Sequence, residues 1–233
     1  MNKVRKISQR TICTKKSCFS RETIKRLSLY LRNLRNLKQK GIEVISSDKI
    51  TGFLNVSAEQ FRKDISYFGE FGKPGVGYEV EKLIGELESI LGINKSWNIA
   101  LVGAGRLGSA LLGFEGFSKF NLKITHIFDS DSKKIGKELF GIKINSIRDI
   151  KKIVRENKIK IVIIATPPEA AQEIADKLID SGIRGILNFA PVILKSPENV
   201  FISNVDMACE MESLLFFVKR KTKTVQQRIE SKQ

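Results

Sequence analysis

The spacing of apolar residues divides the chain. Residues 1–19 are polar and basic with no apolar period, which reads as a mobile tail. From Ser20 onward Ile24, Leu27, Tyr30, Leu31, Leu34 and Leu37 recur at steps of three and four. That is the stripe of an amphipathic helix, ended by Gly41. Ser46 and Ser47 suit the cap of a second helix reaching about Phe53. Asn55-Val56-Ser57 makes a tight polar connection, and a third helix is expected over 58–68. Two short helices joined this closely fit a helix-turn-helix. Gly72, Pro74, Gly75 and Gly77 suit a hairpin within 69–80, which would complete a winged helix. A further helix over 80–91 leads through Gly92-Ile93-Asn94 into a second unit.

From residue 98 the pattern alternates. Apolar strands are expected over 98–102, 123–129, from Ile144, over 160–165, 185–190 and 201–205. Helices are expected over 147–157 and 169–181, the second stopped by Gly182. The uninterrupted apolar run at 160–165 suits a strand covered on both faces. Strand alternating with helix predicts an α/β fold with a Rossmann-like, doubly wound parallel sheet behind the winged helix. The expected divisions are a basic tail (1–19), a DNA-binding domain (20–94), a nucleotide-binding domain (95–206), a terminal helix rich in Leu and Phe (207–220) and a second basic tail (221–233).

Charge sharpens this reading. The net charge of +16 over 233 residues is uneven. Residues 1–40 hold 13 Lys and Arg against Glu22 alone, whereas residues 98–233 hold 22 bases against 15 acids. An N-terminal excess is where a DNA-facing arm or helix would place it. There is no apolar run of 18 residues and no signal-peptide hydrophobic region, so a cytoplasmic protein without a membrane segment is expected. Cys13, Cys18 and Cys209 imply free thiols, not a disulfide framework or a metal site.

Gly103-x-Gly105-x-x-Gly108 follows an expected strand and opens a helix. In that context the first glycine permits a tight turn, the second lets a pyrophosphate approach the backbone, and the third lets helix and strand pack closely. Ala104, Arg106 and Leu107 fill the turn, and Asp129 ends the next strand 21 residues after Gly108. A carboxylate there suits the hydroxyls of an adenine ribose and favours NAD over NADP, a preference that Lys133 and Lys134 weaken. A glycine turn used only for packing is the alternative.

Catalytic machinery is not evident. His126 is the only histidine and lies inside a strand, Tyr30, Tyr67 and Tyr78 all precede the sheet, and Cys209 has no histidine partner nearby in sequence. No proton donor is assembled for hydride chemistry, so the expectation is a regulator and not an enzyme. In the third helix Phe61, Ile65 and Phe68 face inward by spacing, which leaves Arg62, Lys63, Ser66 and Tyr67 outward to read bases or hold phosphates. Lys73 in the wing could reach a phosphate or the minor groove. A solvated basic face is the alternative.

The two units in this order resemble the Rex family of redox-sensing transcriptional repressors. The resemblance runs from about Ser20 to Val218. It rests on R-K-D-I-S-Y-F-G-E-F-G-K, G-V-G-Y, V-G-A-G-R-L-G-S-A-L, F-D-S-D, P-P-E-A-A-Q, I-L-N-F-A-P-V and N-V-D. It implies a homodimer on a palindromic operator that binds DNA when NADH is scarce and releases it as NADH rises, with NAD+ competing for the same site. It implies that the terminal helix, with Leu214, Leu215, Phe216 and Phe217, crosses to the partner subunit. By position, Gly103, Gly105, Arg106, Leu107 and Gly108 would wrap the pyrophosphate, and Asp129 would hold the adenine ribose. Thr166 and Pro168 would lie near the cofactor, and Asn188, Phe189, Ala190 and Pro191 would line its nicotinamide end. Arg32 would pair with Asp206 in the NADH-bound state.

Three positions depart from the family pattern. Phe114 stands where a tyrosine is the alternative partner of the aspartate, and it has no hydroxyl to offer Asp206. Met207 replaces a phenylalanine that enters the partner's nicotinamide pocket, and Pro74 replaces a wing arginine. Two readings follow: an NADH-sensing repressor, or a DNA-binding paralogue with a weaker or altered response. A nicotinamide-dependent oxidoreductase is the reading from another class. Residues 1–19 are open between added phosphate contacts and an inert tail.

Overall fold

The computed structural model describes residues 11–13, 18–52 and 54–230, with side chains between Phe19 and Arg220. The expected end of a helix at Phe53, most of the expected N-terminal tail and the side chains of Cys13 and Cys18 therefore lie outside the described residues. The chain forms two compact units, Met1–Trp97 with Gly116–Leu122, and Asn98–Glu115 with Lys123–Gln233.

In the first unit β1 (Thr11–Cys13) pairs antiparallel with β2 (Cys18–Ser20). Phe19 is buried, its ring 4.8 Å from that of Phe68. This corrects the expected structureless tail at its end: a single aromatic in a polar run carries no period to detect. Ser20 then caps α1 (Arg21–Gln39), its hydroxyl accepting the Thr23 N–H at 3.1 Å. The expected stripe is the buried one, with Leu27, Tyr30, Leu31 and Leu34 fully enclosed. The strand β3 (Val44–Ile45) leads to α2 (Ser47–Thr51), capped by Ser46, and α3 (Ala58–Ser66), capped by Ser57. Helix α3 stops two residues before the expected Phe68, with Tyr67 as its C-cap.

The wing is smaller than a hairpin with two strands of its own. Lys73 and Gly77 form a single bridge, and β4 (Tyr78–Glu79) pairs antiparallel with β3 instead. Gly77, at φ +106°, lies against the Ile45 carbonyl where no Cβ would fit. Helix α4 (Val80–Leu91) closes this core with Val80, Leu83 and Leu87. The segment Gly116–Leu122 also belongs to this unit. Asn121 donates to the Ile93 carbonyl at 2.7 Å and accepts from the Trp97 N–H at 2.8 Å, and Phe120 lies under the guanidinium groups of Arg32 and Arg35 at 5.2 and 5.0 Å.

A buried charge cluster ties α3 to α1. Asp64, with no exposed surface, accepts from Arg26 Nε at 2.6 Å and Nη2 at 2.7 Å, from the Tyr30 hydroxyl at 2.8 Å and from Gln60 Nε2 at 2.8 Å. Burial alone would raise this carboxyl, but the bonds from Arg26, Tyr30 and Gln60 outweigh it and hold Asp64 below its usual value.

The second unit holds β5 (Trp97–Val102) from Asn98 on, α5 (Arg106–Leu112), β6 (Leu122–Asp129) from Lys123 on, β7 (Glu138–Leu139), β8 (Ile142–Ser146) and α6 (Ile150–Glu156). It continues with β9 (Ile161–Ile164), α7 (Pro168–Asp180), β10 (Gly185–Asn188), β11 (Phe201–Asn204) and α8 (Met207–Glu230). The sheet order is β11-β10-β9-β5-β6-β8-β7, and the order turns back between β5 and β9. Such a reversal leaves a crevice at the carboxyl ends of the two strands. The expected doubly wound sheet is present, with one addition: β7 pairs antiparallel with β8 through Phe140 and Gly141, both at positive φ. Two such residues make the favoured hairpin turn, but phenylalanine there and a two-residue strand leave no sequence signal. The expected helix over 147–157 begins as a 3-10 turn at Ile147–Asp149. Helix α8 runs ten residues past the expected end at 220, through a stretch without Gly or Pro in which Lys, Gln, Arg and Glu outnumber β-branched residues. Among the described residues no helix is long and apolar enough to cross a membrane.

Asp64→Ala should cost about 3 kcal/mol, because it strands Arg26 and the buried Tyr30 hydroxyl. Urea unfolding followed by the fluorescence of Trp97, the only tryptophan, checks this in the first unit. Because the folded-state value of Asp64 is lowered, its contribution is complete above about pH 4 and is lost as pH falls through that lower value. The variant should therefore show a weaker acid dependence than the parent.

Candidate nucleotide site and nucleic-acid interface

Strand β5 ends in the glycine turn at the point where the sheet order reverses. Gly103 has φ +102°, and a Cβ there would run into the Ala165 carbonyl that follows β9. A Cβ on Gly108 would run into the carbonyl of Gly103. Gly105, the N-cap of α5, faces open space. Two of the three glycines are thus fixed by packing, and the third leaves room for a ligand. Ala104 is buried, Leu107 half-buried and Arg106 exposed. Helix α5 has only seven residues, so shape and free backbone donors matter more here than a helix dipole.

Asp129 ends β6 beside this turn, as expected. It is nearly buried. Oδ2 accepts from the Ala104 N–H at 2.8 Å and from Lys134 Nζ at 3.1 Å, and Oδ1 accepts from the Asp131 N–H at 2.8 Å. Burial would raise its carboxyl, but the Asp131 and Ala104 N–H groups and the Lys134 ammonium hold it below its ordinary value. It is therefore an anion at neutral pH, with Lys134 offsetting part of its charge.

Thr166 sits across the crevice, its methyl 3.2 Å from where a Cβ of Gly103 would stand. Its hydroxyl is buried and has no hydrogen-bond partner. Leaving such a group unmet costs free energy, and a ligand or an ordered water in the crevice would meet it. Pro168 opens α7 and is half-buried.

The loop after β10 is held by the residue that ends the strand. Asn188 has no exposed surface, and its amide is fully engaged. Nδ2 donates to the carbonyls of Ala190 (3.1 Å) and Val192 (2.8 Å) and to Asn204 Oδ1 (2.9 Å), while Oδ1 accepts from the Ala190 N–H (3.0 Å). These bonds shape the loop, and Ala190 is buried with Asn188. Phe189 is half-buried and Pro191 exposed.

On the first unit, Arg62, Lys63 and Ser66 stand exposed on α3, and Lys73 is exposed in the wing. Tyr67 is only half-exposed, its ring 6.4 Å from that of Phe19, so the outward face is narrower than spacing implied. Asp64 was not among the expected functional residues; its place one turn from Gln60, on the side facing α1, was the only available signal.

Two of the expected switch residues, Arg32 and Asp206, make contacts within their own units. Arg32 is exposed over Phe120. Asp206 Oδ1 accepts from the N–H groups of Ala208 at 3.0 Å and Cys209 at 3.1 Å and so caps α8. Phe114 and Met207 are exposed, by 57% and 61%. His126 is half-buried with Nδ1 2.9 Å from the Thr125 hydroxyl, and burial pushes its pKa down, which leaves it neutral and ill-suited to acid chemistry.

Residues 19–66 match the family described as "Putative DNA-binding protein N-terminus", and residues 94–192 match the "CoA binding domain" family. The chain is 43% identical over 197 residues to the redox-sensing transcriptional repressor Rex of Roseiflexus sp. (strain RS-1), covering 84% of this chain and 90% of that one. It is 46% identical over 196 residues to the Rex repressor of Syntrophomonas wolfei subsp. wolfei, covering 84% and 93%. Among solved structures, RSP in complex with β-NAD+ and operator DNA is similar at a TM-score of 0.85 and 32% identity, covering 91% of this chain and 98% of that one. RSP in complex with β-NADH is similar at 0.80 and 31%, covering 89% and 98%. The chain therefore belongs to the Rex family of redox-sensing transcriptional repressors.

Proposed function

We propose that this chain is a cytoplasmic, DNA-binding transcriptional repressor whose hold on a palindromic operator is set by the ratio of NADH to NAD+. The observation that carries the reading is one chain holding both an exposed Arg62–Lys63 face on a helix-turn-helix and, in its other unit, a glycine turn with an unmet Thr166 hydroxyl. The relative RSP is known with operator DNA, β-NAD+ and β-NADH, which supports the pairing. Gly103, Gly105, Arg106, Leu107 and Gly108 would hold the pyrophosphate, Asp129 the adenine ribose, and Thr166 a polar group between them. A nicotinamide nucleotide can shift operator affinity only by the difference in its own affinity for the DNA-competent and DNA-released states.

The working form is a homodimer. Met211, Leu214, Leu215, Phe216, Phe217 and Val218 of α8 are each more than half exposed in the single chain. A continuous apolar helix of this kind calls for cover, and a second copy that exchanges α8 supplies it. Phe114 favours a second reading, an altered NADH response, because no hydroxyl is available there for Asp206. An enzyme is not supported, because the relatives that the chain matches are transcriptional repressors.

Titrating NADH and NAD+ separately against a labelled palindromic operator at fixed salt tests the main reading. Release by NADH at concentrations that leave the NAD+ arm bound is the expected result. Operator binding indifferent to NADH would select the second reading. Gly108→Ala should abolish dinucleotide binding by calorimetry while far-UV dichroism stays near the parent, since its methyl needs the space of the Gly103 carbonyl. Phe217→Glu should convert the dimer to a monomer in sedimentation and weaken operator binding at least tenfold, roughly the cost of losing one half-site contact set.

A further inference from the structure

Arg62 stands on the exposed face of α3 but is not loose. Its Nη1 donates to the hydroxyl of Ser47 at 2.6 Å. Ser47 is the first residue of α2 and is only 7% exposed. The cap of that helix is its neighbour Ser46, whose hydroxyl takes the Lys49 N–H, so the Ser47 hydroxyl is free to serve another group. Its backbone is held in turn, with Thr51 Oγ1 donating to the Ser47 carbonyl at 3.1 Å.

The choice of partner matters. In the same unit Arg26 is paired with Asp64 and Arg35 with Glu88, so both charges are offset by carboxylates. Arg62 is held by a neutral hydroxyl and keeps its full charge. A guanidinium has five N–H donors in a planar fork, and one bond through Nη1 leaves the Nη2–Nε edge available for two parallel bonds. A guanine O6/N7 pair can accept two such bonds. The cluster around Asp64 fixes α3 on α1, and Ser47 fixes an exposed side chain of α3.

We propose that Ser47 is a positioning residue for operator recognition: its hydroxyl orients the Arg62 guanidinium and thereby sets base selectivity, without itself touching DNA. The proposal rests on the reading of α3 as the DNA-facing helix. Holding Arg62 in place before contact removes part of the ordering cost that a free arginine meets on binding.

The test uses the full-length protein and a palindromic duplex that the parent selects from a random pool, with a scrambled duplex as control. Ser47→Ala should weaken the selected duplex about three- to tenfold, the range expected for ordering one long side chain. Binding to the scrambled duplex and the salt slope should not change, because no charge or phosphate contact is lost. Ser47→Thr keeps the hydroxyl and should restore selectivity. In an Arg62→Ala background, Ser47→Ala should have no further effect. An equal loss on both duplexes, a loss that persists without Arg62, or no loss at all overturns the proposal. Melting curves matched to the parent separate these outcomes from unfolding. Failure of the parent to select any duplex would refute the DNA-binding reading itself, a result distinct from the others.

Discussion

Desolvating the carboxylate of Asp64 is the demand around which the first unit is arranged. A buried charge is tolerated only when its lone pairs are met. Here Arg26 gives a two-point contact, Tyr30 gives a hydroxyl and Gln60 an amide, from two different helices. Apolar contacts between α1 and α3 could slide or roll with little loss, because they lack direction. Four short, directional bonds to one buried group do not allow that. The outward set of Arg62, Lys63 and Ser66 is therefore fixed by a residue on the opposite side of the same helix.

The second unit meets a different constraint, one of space. At Gly103 and Gly108 the backbone comes so close to other backbone that a single methyl is excluded. The result is a tight turn at the crevice where the sheet order reverses, flanked by an ionised Asp129 and an unmet Thr166 hydroxyl. The glycines make room, and the polar groups give the room a preference. A chain that only needed a sharp turn would have no use for a buried hydroxyl without a partner.

Much of this was legible in the sequence, for reasons that can be named. The stripe of α1, the caps at Ser20, Ser46 and Ser57, the glycine spacing and the apolar run at β9 each follow from local geometry. The parts that escaped are set by distant partners. β4 joins β3 across more than thirty residues, and nothing local announces that pairing. The Phe140–Gly141 turn places an aromatic at positive φ, against its own preference. Asn188 ends β10, and the four internal bonds of its amide run to residues up to sixteen positions away, which no local pattern announces. Asp64 reads as one more surface acid until the three side chains around it are seen.

The segment Gly116–Leu122 has a consequence for how such a chain can be taken apart. It lies in sequence inside the nucleotide-binding unit but belongs to the other. The polypeptide therefore passes between the two units three times, at 97/98, 115/116 and 122/123. A fragment ending at Trp97 would lack Phe120 beneath Arg32 and Arg35 and Asn121 between Ile93 and Trp97. Neither unit is a cassette that one cut would free, and an exchange of DNA-binding halves between relatives would have to carry this inner loop along with it.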